Sequence, residues 1–219
     1  MSHAFQSARR VPAHLVLIGL LIVYGLNWAV PDAARALGLP LPSGNPLSVV
    51  LWNWLTVGVL IVFVHRVERL DLASLRIVRP TGDDLGWAVG FAGAAMGWSW
   101  AASMIAPVEQ GTDTLVALGP LGVLLLLLTV ATTEEILWRG YVVERLGAVL
   151  RSRAAACFIG LAIFAAGHVP FFGTSWLLVH GVGAALIYGL FWWRRNLPAC
   201  MLTHLIVNAP VLLVTLFAA

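Results

Sequence analysis

Lysine is missing from the 219 residues altogether, cysteine occurs twice, and charged side chains make up only 11% of the chain. So little charge excludes a soluble domain with an ordinary solvated surface, because 60% of the residues are hydrophobic and the mean hydropathy is +0.91. The two cysteines, Cys157 and Cys200, both lie in apolar stretches. They exclude a disulfide framework and read as small buried hydrophobes. A net charge of +3 is too small for a nucleic-acid partner. All thirteen basic residues are Arg, which suits cations that pair or snorkel near hydrocarbon, although a GC-rich genome gives the same bias and is the plainer explanation. The chain holds no internal repeat, low-complexity tract or soluble domain; the longest charged connection, Arg66 to Asp84, is too short for one.

What the chain does have is long uncharged runs. A spanning helix needs about 20 apolar residues. Seven runs qualify: Val11–Val30, Leu47–Val64, Leu85–Ala106, Leu115–Leu137 with a polar-tipped continuation to Leu150, Ala154–Val169, Trp176–Trp193 and Leu197–Phe217. The first is too long for the core of a cleaved signal peptide, and Pro31-Asp32 after it reads as a loop. The fold class expected is therefore all-α, a single integral membrane domain over residues 1–219 with about seven helices. Arginine gives the orientation, because cytoplasmic loops collect positive charge. With the N-terminus inside, eleven of the thirteen fall on inner connections: Arg9, Arg10, Arg66, Arg69, Arg76, Arg79, Arg145, Arg151, Arg153, Arg194 and Arg195. Arg35 falls in an outer loop with Asp32, Glu109, Asp113 and the turn residues Pro40, Pro42, Gly44 and Pro46, and Arg139 falls inside the fourth helix.

Ionisable groups at bilayer depth are costly unless they are partnered, so each is a functional candidate. Glu134 and Glu135 follow the apolar run Leu121–Val130, and Glu135 stands four residues before Arg139, the favourable order for an ion pair on one helix face. Glu134 then points about 100° away and is free for other work. An interfacial salt bridge would explain one Glu and one Arg but not the second Glu. His168 closes Phe164-Ala-Ala-Gly-His, just before Val169-Pro170, where the fifth helix should weaken. If helices four and five turn near Arg151, Glu134 and His168 are each 17 residues from the turn and reach a similar depth. His204 and Asn208 lie one turn apart on the last helix at an overlapping level. Each alone could be interhelical glue. Convergence of all six from three helices is harder to explain as structure alone. His180, near the middle of the sixth helix, reads as a packing or hydrogen-bonding residue. His14, His65, Asn27 and Asn53 are taken as helix-end polar groups, and the ten Trp mainly as interface anchors and lipid-facing bulk.

Glu134-Glu135-x-x-x-Arg139, Phe164-x-x-x-His168 and His204-x-x-x-Asn208, in this order on apolar helices, resemble the three motifs of the CPBP family of CAAX prenyl endopeptidases and bacteriocin-processing or immunity proteins. The likeness covers a core from Leu121 to Pro210; Trp138 departs from the Phe expected there, and seven helices are fewer than the eight of the best-known members. The resemblance implies an intramembrane endopeptidase in which Glu134 is the general base and His168 helps hold the water. His204 and Asn208 would donate to the oxyanion, with Glu135 held by Arg139. No cofactor is required on this reading; the alternative is Zn²⁺ on Glu134, His168 and His204, leaving one position for water. The expected partners are membrane lipid and a peptide or protein substrate, which need not be lipidated, with no nucleic acid. The expected location is a bacterial plasma membrane. Two non-enzymatic alternatives use the same residues: a small proton-coupled transporter, disfavoured by the lack of paired halves with broken helices, and an immunity or scaffold protein of the same fold.

Overall fold

A computed structural model describes residues 11–42, 45–108 and 110–217, and every regular element in them is helical. Arg9, Arg10, Gly44 and Glu109 lie outside the described residues. The first rod is α1 (Ala13–Tyr24), a π-helical turn Gly25–Ala29, and α2 (Val30–Ala36). Pro31-Asp32 is therefore helical rather than a loop, and Arg35 sits on a helix. Pro31 is tolerated because it falls at the start of α2, where its missing N–H is not needed. Next come α3 (Pro46–Arg66), capped by Asn45 Oδ1 accepting from Ser48 N, and a short 3₁₀ turn Leu72–Leu75. A capping box of Thr81 and Asp84 opens α4 (Gly82–Ser103). After the single turn α5 (Thr112–Val116), α6 (Gly119–Glu134) passes into a π-helical stretch Glu135–Val143 and then α7 (Glu144–Leu150).

Arg151, in the left-handed conformation, and Ser152, whose Oγ accepts from Ala155 N, make the expected turn into α8 (Arg153–Phe172). This helix runs two residues past Pro170 instead of weakening at His168, and ends only at Gly173, whose φ of +78° leaves the helical region. The sixth run is broken: α9 (Ser175–Val179) and α10 (Gly181–Arg194) meet at His180, which is a junction and not a mid-helix residue. The chain closes with α11 (Leu197–Phe217).

Five rods are long and apolar enough to cross a bilayer: 13–36, 46–66, 119–150, 153–172 and 197–217. The protein is an integral membrane protein. The other two expected spans take other forms, α4 beginning on Asp83 and Asp84 and α9–α10 being interrupted. α11 packs between α4 and α6, α3 lies against α6, and α10 bridges α4 and α8.

One end of the bundle collects the arginines. Arg145 pairs with Glu68 at 2.7 Å, both side chains fully buried, and Tyr141 donates to the other oxygen of Glu68 at 2.8 Å. Glu144 accepts from Arg76 at 3.0 Å and Arg195 at 2.6 Å, and Arg194 reaches Asp84 at 2.7 Å. Burial lowers the Arg195 guanidinium to about 10 while Glu144 pulls the other way, so it stays charged at neutral pH. These pairs tie the 66–84, 144–153 and 194–196 connections into one polar floor. Buried carboxylates are tolerable only when satisfied in this way.

Candidate active site

Above that floor the helices part around a cavity of about 430 Å³, within the size range of small-molecule and peptide pockets. The face of α6 that lines it, Val123, Leu126, Leu127, Val130 and Glu134, follows three- and four-residue steps, so the helix period places the carboxylate of Glu134 on the wall. Glu134 is half-buried there. Glu135 turns away, fully buried, and pairs with Arg139 at 2.9 Å, as its spacing predicts. The winding differs from expectation, because the helix is π from Glu135 onward, a form that recurs at functional sites.

Glu135 has a second partner that the spacing alone did not show. Its Oε1 accepts from His204 Nδ1 at 2.8 Å. A carboxylate can only accept, so Nδ1 carries the proton and Nε2 is left for the cavity that His204 lines. His168 is fixed by the same logic: Nδ1 donates to the Phe164 carbonyl at 2.8 Å, leaving Nε2 as the free nitrogen. Its ring is stacked on Trp176, with centroids 4.4 Å apart and planes at 17°, and Phe164 stands 4.4 Å away on its own turn. The Arg139 guanidinium lies over the rings of Tyr188 at 4.1 Å and Phe164 at 4.6 Å, and the cavity meets it from above.

Glu134, Arg139, His168, His204 and Asn208, drawn from three helical rods, thus line one cavity, while Glu135 sits behind His204 and is not on the wall. Among the described residues no three His, Cys, Asp or Glu side chains are grouped closely enough to hold a metal ion.

Several wall residues escaped the sequence reading. Asn53 is not a helix-end group; it lies well inside α3, is 1% exposed, lines the cavity, and its Nδ2 has no hydrogen-bond partner. Its signal was the isolated amide in an apolar run. Trp28, Trp52, Trp138 and Trp176 also line the cavity, whereas Trp54, Trp98, Trp100, Trp192 and Trp193 are exposed as expected. Trp28 approaches because Gly167, next to His168, has no side chain; a Cβ there would fall inside the indole. His180 lines the cavity too, beside Trp176.

Residues 116–210 match the family model described as Type II CAAX prenyl endopeptidase Rce1-like. The matched segment contains all three motifs, consistent with the CPBP resemblance. No curated protein and no solved structure matches the chain.

Proposed function

We propose that the Rce1-like segment makes this chain an intramembrane endopeptidase that hydrolyses a peptide bond with water activated by Glu134 and His168. The observation that carries the reading is the convergence of Glu134, His168, His204 and Asn208 on one cavity wall. Glu134 takes a proton from the attacking water, and His168 accepts a hydrogen bond from that water at Nε2, the nitrogen its bond to Phe164 leaves free. Attack places negative charge on the carbonyl oxygen of the scissile bond. Asn208 stabilises that oxygen through its amide N–H. His204 can donate there only from Nε2, and only as the imidazolium, because Nδ1–H is committed to Glu135. Glu134 then returns the proton to the leaving amine.

On this reading the reaction runs without a resident metal. Metal analysis of the purified protein, and activity that survives chelation, test this against a zinc site on Glu134, His168 and His204. On this reading the chain resides in a bacterial plasma membrane with its N-terminus cytoplasmic. Its substrate is a peptide or protein, and lipidation is not required by any contact described above. Comparative peptidomics of membranes carrying the wild-type protein and Glu134→Ala tests the reading: products present only with the former support it, and identical peptide patterns overturn it.

A further inference from the structure

On each rod the lining residues stop short of its arginine end. On α3 the lining residues stop at Asn53, and on the long fourth rod they stop at Arg139. On α8 they begin only at Phe164, and on α11 only at His204. On α10 they end at Ile187, seven residues before Arg194. All of these limits lie on the side away from the Arg–Glu floor. At those limits the space is closed by Trp138, Arg139, Tyr188 and Phe164, none more than 3% exposed. The opposite side is lined near its rim by Pro31, Asp32, Arg35, Asn45 and Leu115. Among the described residues the mouth of the cavity therefore faces the arginine-poor end.

The two ends differ sharply in basic residues. Among the described residues Arg66, Arg69, Arg76, Arg79, Arg145, Arg151, Arg153, Arg194 and Arg195 belong to the closed end, against Arg35 alone at the mouth. The bias of Arg toward cytoplasmic loops then sets which compartment each end meets. We infer that the site is loaded from the extracytoplasmic face, so that its substrates are apolar polypeptide segments presented at the outer leaflet and not chain ends reaching the membrane from the cytoplasm. The wall suits such a segment. Val49, Leu115, Leu126, Val130 and Val211 are apolar, and the one charged pair at the rim, Asp32–Arg35 at 2.9 Å, is internally neutralised. The Trp54–Thr129 hydrogen bond sets the register of α3 against α6. Asn53, one residue further toward the mouth, then stands roughly 9 Å mouthward of Glu134, at ~1.5 Å per helical residue. At ~3.3 Å per extended residue, that amide meets a bound strand about three residues from the bond Glu134 faces.

The peptide part of this inference rests on the proposed protease reading; the direction of access does not, and is tested without hydrolysis. Val49→Cys and Leu115→Cys on the cavity wall, and Arg151→Cys at the closed-end turn, are treated with a membrane-impermeant maleimide in right-side-out and inverted vesicles. The buried native cysteines Cys157 and Cys200 serve as the unlabelled background. Both wall variants are expected to label at least tenfold faster in right-side-out vesicles, and Arg151→Cys at least tenfold faster in inverted ones. The same pattern is expected in a Glu134→Ala background. Wall variants that label with Arg151→Cys, or equally from both faces, overturn the mouth at the arginine-poor end. A clean exchange of the two faces overturns the extracytoplasmic assignment.

Discussion

Arg139→Leu separates the structural part of the site from the chemical part. The guanidinium and Glu135 are both fully buried and 2.9 Å apart, so removing the cation leaves a carboxylate in the centre of the bundle with only the His204 bond to hold it. Breaking a buried pair from one side costs about 3–5 kcal/mol. That corresponds to roughly two to three and a half orders of magnitude in the folding equilibrium. The second change, Glu135→Leu in the same chain, removes the stranded charge; most of the lost stability should return, because apolar replacement of both partners is often near neutral. Activity should not return, since His204 would lose the acceptor that holds its ring in place. Glu134→Gln makes the contrast: half-buried on the cavity wall, it should leave stability within ~0.5 kcal/mol while abolishing cleavage. The measurements are unfolding free energies from denaturant titration in mixed micelles and peptide turnover on the same preparations. An Arg139→Leu protein as stable as wild type, or a double variant destabilised by the sum of its parts, would refute the reasoning.

Asn53→Leu replaces a buried amide whose Nδ2 has no protein partner, so stability should hold or rise by about 1 kcal/mol. Turnover should fall through KM, and a variant both less stable and fully active would show the amide to be structural. Gly167→Ala puts a methyl group into the Trp28 indole and should cost roughly 1–3 kcal/mol as an overpacked contact. Its effect should be read as a change in Trp fluorescence together with a loss of turnover. Tyr141→Phe removes the hydroxyl donated to Glu68 beside Arg145 and should cost about 1.5–3 kcal/mol with KM unchanged, because this bond lies beneath the cavity. A shifted KM would place Tyr141 in contact with the cavity.

The runs of apolar residues gave away the rods because a bilayer permits little else, and the hairpin depth of Glu134 and His168 followed from counting to the Arg151 turn. The Glu135–Arg139 pair was legible for the same reason: four residues along a helix fix a distance. His204 on Glu135 was not legible, since it depends on how α11 rotates against α6, and rotation about an apolar helix is set by packing at many weak contacts. Asn53 was misread because distance from a helix end is a poor guide to burial when the neighbouring helix decides which face is covered. Pro31 and Pro170 misled in the same direction. Proline perturbs a helix without always ending it, and in a membrane neighbouring groups satisfy the carbonyls it frees.

The π-wound turns between Glu135 and Val143 give the fourth rod a built-in slack. A residue lost from that stretch can be absorbed by reverting to i→i+4 bonding, leaving the segments above and below in place. The same loss within Gly119–Glu134 would swing everything beyond it through about 100° and carry Glu134 off the wall. Length variation along this rod should therefore be tolerated only beneath the acidic pair, which makes single-residue deletion scanning a direct map of where the chain keeps its spare turn.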